Sequence, residues 1–129
     1  MNIPFLCVGL AFLLLYLSKI PVAIAMQRAG GYDNRLPREQ QARLTGWGKR
    51  ALAAHQNSFE AFAPFAAAVL VAQLGGANPA WSARLALVFV AARMLYLFLY
   101  IADLPSLRST VWLIGTLCSG GLFFLGIFH

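Results

Sequence analysis

Hydrophobic residues run through this chain in four long blocks, separated by polar or turn-forming stretches. The first covers about residues 3–26 and is interrupted only by Ser18, Lys19 and Pro21; the others cover about 50–74, 81–101 and 108–128. Each exceeds the roughly 20 residues that a helix needs to cross the hydrocarbon core of a bilayer. Strands of a membrane barrel would be about half as long and would alternate apolar with polar positions, a pattern absent from this sequence. The pattern predicts an all-α integral membrane protein. Residues 1–129 read as one four-helix transmembrane bundle with a polar loop at about 27–49. The first block lacks a basic leader, and its apolar run exceeds the roughly 7–15 residues of a signal-peptide core, so it reads as a retained helix.

Composition agrees with a membrane solvent. Hydrophobic residues make up 60% of the chain and charged residues 11%, with a mean hydropathy of +0.71. A soluble domain carries about 25% charged residues. The formal charge is +6. On a soluble domain that excess would suggest nucleic acid, but here it concentrates in one loop bearing Arg28, Arg35, Arg38, Arg43, Lys49 and Arg50. The positive-inside rule then places this loop and the short third loop in the cytoplasm, with both termini on the opposite side. The lipid bilayer, and not nucleic acid, is the expected partner. Trp47 and Trp81 fall where interfacial aromatics belong. Eight Arg against two Lys, Ala-rich helices and short loops suggest a bacterial cytoplasmic membrane. The closing residues "GIFH" carry no retention or lipidation signal.

Two features of the loops and thiols need a reading. Gly30-Gly31, Asp33-Asn34 and Pro37 are turn chemistry that disfavours helix continuation. A loop of about twenty residues is longer than connection requires. It is either a solvated basic face or a cap over a polar cavity. Cys7 and Cys118 have no neighbours at metal or redox spacing, so both read as packing residues and no metal site is expected.

The polar residues inside the apolar blocks carry the chemistry. An ionisable side chain at bilayer depth costs roughly 2.5–3.5 kcal/mol on insertion scales, so it normally faces protein or ligand. Glu60 and Arg93 are such groups. Arg50, Asn57 and Glu60 are spaced seven and three apart and share a helix face, with Pro64 one turn further on. His55 falls on a different face and can serve only a neighbouring surface, such as one across a subunit boundary. Asn57 and Glu60 could simply specify helix packing, although a neutral group would do so at lower cost. In the third block Arg93, Tyr96 and Tyr100 form one stripe. An Arg93–Glu60 ion pair between the second and third helices is the expected internal partnership. Two tyrosines on the same cavity suit a ligand that needs several hydrogen bonds.

The segments "AAHQNSFEAFAPF", "RMLYLFLY" and "LPSLRST" resemble, in order, the signatures of the MAPEG superfamily, membrane-associated proteins of eicosanoid and glutathione metabolism. The resemblance covers the chain from Lys19 onward. It implies a homotrimer with three equivalent glutathione sites between neighbouring subunits, near the cytoplasmic face. By position, Asn57 and Glu60 would bind the polar groups of the peptide, Glu60 at its α-amino end. Arg93, Tyr96 and Tyr100 would line the pocket. Arg108 would hold the thiolate with Ser109 adjacent, His55 would reach the next subunit's site, and Arg28 would contact a carboxylate. One departure stands out. Glutathione-binding members usually carry arginine four residues before the Asn, where this chain has Ala53; Arg50, one turn earlier, is the available substitute.

The implied chemistry is electrostatic. A cysteine thiol titrates near 8.5, and its thiolate is the nucleophile. A guanidinium stays charged and acts as a fixed positive group, strengthened by partial desolvation. No metal or covalent enzyme intermediate is needed. The resemblance thus implies a glutathione-dependent transferase or peroxidase acting on lipophilic electrophiles, with glutathione as co-substrate. The alternative is a non-catalytic scaffold or accessory subunit for an unidentified membrane protein, which Ala53 favours. A channel or transporter is weakly supported, because one carboxylate and no pair of broken helices offer little of a pathway.

Overall fold

The computed structural model describes residues 1–128; His129, the last residue of the "GIFH" segment, lies outside the described residues. The order of elements is α1 (Ile3–Leu17), α2 (Lys19–Arg28), α3 (Pro37–Ala42), α4 (Gly46–Leu74), α5 (Pro79–Ile101) and α6 (Pro105–Ile127). Among the described residues, four helices are long and apolar enough to span a membrane: Ile3–Arg28, Gly46–Leu74, Pro79–Ile101 and Pro105–Ile127. The chain is a multi-pass, all-helical membrane protein.

The first span is broken at Ser18 into α1 and α2. Pro21 has no N–H to offer the Leu17 carbonyl, and its ring crowds that carbonyl. Ser18 Oγ donates to Leu15 O at 2.6 Å, a back-bond of the kind that bends helices. Asn2 caps α1 by accepting from Phe5 N at 3.0 Å, and Asn78 caps α5 by accepting from Trp81 N at 3.1 Å. Pro79 and Pro105 open α5 and α6, where a missing N–H costs nothing.

The helices meet through small residues and one aromatic stack. Phe65 of α4 and Phe89 of α5 lie parallel, with centroids 3.8 Å apart and planes 6° apart. Cys7, Ala68, Val69, Ala86, Cys118 and Leu122 surround them in the core. Both cysteines are free thiols packed there. Where α4 and α6 cross, Gly75 and Gly126 bring the backbones together: a Cβ on Gly126 would lie 2.5 Å from Val71 O. Apolar side chains gain nothing by leaving lipid, so such close van der Waals approach supplies the helix–helix attraction. Large hydrophobics such as Phe12, Leu70, Phe98 and Leu117 remain exposed to the surrounding medium, as a membrane span requires.

The first loop is more ordered than its turn residues suggest. Pro37 starts the short helix α3 instead of merely ending another, and α4 begins at Gly46, four residues ahead of the apolar block. Buried Gln40 ties the loop together. Its Nε2 donates to Met26 O at 3.1 Å and Gly31 O at 2.8 Å, and its Oε1 accepts from Asp33 N at 2.8 Å. Gln40→Leu would strand these partners, at roughly 1–3 kcal/mol for each one left buried. We expect the variant to keep its membrane helices but to be cut much faster by trypsin at Arg35, Arg38 and Arg43. Unchanged cleavage would refute this role.

Candidate functional site

The polar residues of α4, α5 and α6 form one continuous series. Arg93, on α5, is 4% exposed, and its Nη1 donates to Asn57 Oδ1 on α4 at 2.9 Å. Its guanidinium carbon lies 4.2 Å from the Tyr96 ring centroid. Tyr96 meets Tyr100 edge-on, with centroids 5.7 Å apart. The guanidinium of Arg108, on α6, stands 4.4 Å from the Tyr100 centroid. Spacings of three and four put Arg93, Tyr96 and Tyr100 on one face, and the short turn into α6 delivers Arg108 to the end of it. Neither tyrosine hydroxyl has a hydrogen-bond partner among the described residues. Cation–π contacts of this kind gain strength when desolvated.

The expected Arg93–Glu60 ion pair is not formed. Arg93 bonds to Asn57, and no Glu60–Arg93 contact falls within 4.0 Å. The two groups are still close enough to interact electrostatically. Glu60 is exposed on the subunit's surface rather than enclosed by its own helices. The reason is geometric: Asn57, one turn closer to Arg93, takes the inward position. This bond also fixes the amide of Asn57. With Oδ1 accepting from Arg93, its Nδ2 is the group left to donate elsewhere. Arg93 Nη2 is buried without a partner among the described residues, an orphan donor of the sort that calls for a reason.

Arg108 occupies the first turn of α6, at the positive end of the helix dipole, where a cation is disfavoured. No carboxylate pairs with it among the described residues. A guanidinium and a helix N-terminus together make a place where an anion is favoured. Ser109 is exposed beside it and makes no hydrogen bond among the described residues.

His55 lies on another face of α4. Its Nδ1 is 2.7 Å from Ser18 Oγ. Because the Ser18 hydroxyl gives its proton to Leu15 O, it accepts from Nδ1–H, leaving Nε2 as the free acceptor. Ser18 is a partner that the sequence marked only as an interruption of an apolar run. Arg28 stands over Trp47 at 5.8 Å. Trp47 lies ten residues before Asn57 on α4, about 15 Å along the axis, so the single chain does not unite Arg28 with the series. Arg50, the substitute for the arginine replaced by Ala53, instead donates through Nε to Ile101 O at 3.2 Å. Backbone carbonyls at a helix end attract cations, and no side-chain pattern announces that.

No curated protein matches the chain closely enough to count as a relative. The MAPEG family, in contrast, matches over residues 3–128, nearly the whole length. The four spans fit this match, and the chain belongs to the MAPEG family.

Proposed function

We propose that this protein is a homotrimeric, glutathione-dependent transferase or peroxidase that acts on lipophilic electrophiles. The observation that carries the reading is Arg108, an unpaired cation stacked on Tyr100 at a helix N-terminus. That setting favours a thiolate. Its electron pair would form the new bond to carbon, and the leaving group would depart with the electrons of the bond that breaks. With a peroxide, the same pair would attack oxygen and break the O–O bond, leaving the sulfur as a sulfenic acid and releasing alkoxide or hydroxide that takes a proton from water. A second glutathione would then form the disulfide and release water.

The remaining residues have matching tasks. Glu60, exposed near the middle of a span, is covered only when a neighbouring subunit or the α-amino group of glutathione reaches it. Asn57 donates through Nδ2 to a carbonyl or carboxylate of the peptide. Arg93 fixes Asn57 through Nη1, and with Tyr96 and Tyr100 it closes the pocket wall. Ser109 flanks the sulfur. From the adjacent subunit, His55 offers Nε2 and Arg28 a carboxylate contact. The basic loop faces the cytoplasm, and the membrane is the bacterial inner one.

A second reading, a non-catalytic scaffold, is favoured by Ala53 and by Arg50's engagement with Ile101 O. Equilibrium binding of glutathione to detergent-purified protein separates the two. Saturable binding is expected, weakened about tenfold or more by Glu60→Gln, since a hydrogen bond to a charged group contributes roughly 1.5–3 kcal/mol. Asn57→Asp keeps an acceptor for Arg93 but removes the donor, so it should weaken binding by a similar factor with assembly intact. Undetectable binding at millimolar glutathione would sink the transferase reading and leave the scaffold.

A further inference from the structure

Helix α1 packs against both α4 and α5, whereas α2, beyond the break at Ser18, runs along α4, with Ile101 at the end of α5 packed against the cluster that holds Val22, Ala25 and Met26. Between these helices lies a cleft of about 500 Å³, within the roughly 300–1,000 Å³ of ligand sites. Leu17, Pro21, Ala54, Met94, Phe98 and Ile101 are among its lining residues. The one polar side chain in the lining is Ser18, and its hydroxyl is already bonded to Leu15 O and His55. A polar ligand would find no partner inside. The cleft is also separate from the series described above: Met94, Phe98 and Ile101 lie on a different face of α5 from Arg93, Tyr96 and Tyr100.

One end of the cleft is basic. Ile101 and Ala51 line it there, and Arg50, next to Ala51, is anchored by Nε on Ile101 O. Arg50 shares a stripe of α4 with Ala54, one turn away. It is half-buried, and no carboxylate pairs with it among the described residues. Lys49 adjoins it, and Asp103, two residues beyond Ile101 in the α5–α6 turn, is the acid nearest that carbonyl in sequence, leaving two cations against one carboxylate. Anchored on Ile101, the guanidinium also shields an incoming anion from the carbonyls that end α5.

We infer that the cleft holds one acyl chain of an anionic phospholipid, with the phosphate at Arg50. The apolar lining matches the chain, and the charge at the mouth matches the head group. The inference does not depend on glutathione.

The test reloads purified protein with phosphatidylglycerol or phosphatidylcholine of identical chains and counts retained lipid by native mass spectrometry. Phosphatidylglycerol should be retained preferentially. Arg50→Gln should reduce its retention about fivefold, the contribution of one basic side chain near an anionic surface, without changing phosphatidylcholine. Leu17→Trp, at a position 46% exposed and so tolerant of size, should plug the cleft and reduce both. A diazirine-tailed phosphatidylglycerol should label peptides containing Ala54 and Met94. Equal retention of the two lipids, or labelling spread evenly over the lipid-facing surface, overturns the inference. So does a disulfide between copies formed through Phe98→Cys, which would show a second chain in the cleft.

Discussion

Arg108→Ala is expected to lower glutathione-conjugating turnover by roughly 10²–10³-fold, the scale for removing one preorganised group that stabilises developing or resident charge. The side chain is half-buried, is stacked on Tyr100 and takes no part in an ion pair among the described residues, so assembly should survive its loss. The pH dependence gives a sharper reading. On the proposed reading, Arg108 would hold the bound thiol below the free value of about 8.5, so that it is ionised at neutral pH. Without it the thiol titrates near that value, so the deficit should narrow as pH rises towards and past it. Arg108→Lys should recover part of the rate, because a point charge remains while the planar stack is lost. The measurement is conjugation of a chlorodinitrobenzene across a pH series, with thiolate absorbance followed in parallel. Equal turnover of wild type and Arg108→Ala at every pH would remove Arg108 from the chemistry.

Gly126→Leu is expected to prevent recovery of folded protein. A Cβ on Gly126 would meet Val71 O at 2.5 Å and Ala72 N at 2.8 Å, and these are backbone atoms that cannot rotate away. Overpacking of even one methyl typically costs roughly 1–3 kcal/mol, and a leucine at a backbone crossing exceeds that range. Gly120 provides the control. It lies on the same helix, and a Cβ there would meet nothing within 4 Å. Gly120→Ala should therefore behave as wild type in size-exclusion chromatography and thermal unfolding, while Gly126→Leu aggregates or runs as misassembled protein. A monodisperse Gly126→Leu protein with an unchanged melting temperature would show that the α4–α6 crossing contributes little.

The two predictions address different layers of the molecule. Arg108 concerns what an assembled surface does to a ligand's charge. Gly126 concerns whether that surface exists, since α6 carries Arg108 and its position against α4 and α5 brings the guanidinium to Tyr100. Arg93 stands between the layers: buried and bonded to Asn57, it holds the Asn57 amide in orientation from inside the subunit.

Much of this was legible in the residues alone, for physical reasons that differ from one feature to the next. Hydrocarbon imposes length and polarity on anything that crosses it, so the four spans follow from apolar runs without reference to a fold. Helical periodicity likewise places Arg93, Tyr96 and Tyr100 on one stripe, because spacings of three and four are fixed by the turn itself. Partner choice is another matter. Charge complementarity favoured Glu60 for Arg93, yet the packing of α4 on α5 presents Asn57 and leaves Glu60 at the surface. Arg50 was matched by spacing to a missing arginine, but a backbone carbonyl at the end of α5 claims it, and carbonyls leave no mark in a sequence. The same holds for the bond between His55 and Ser18 across 37 positions, and for the cleft beside Ser18. Local rules act through bonds and turns that every helix shares. Which side chain meets which across a helix interface depends on crossing geometry, and only the assembled backbone sets that.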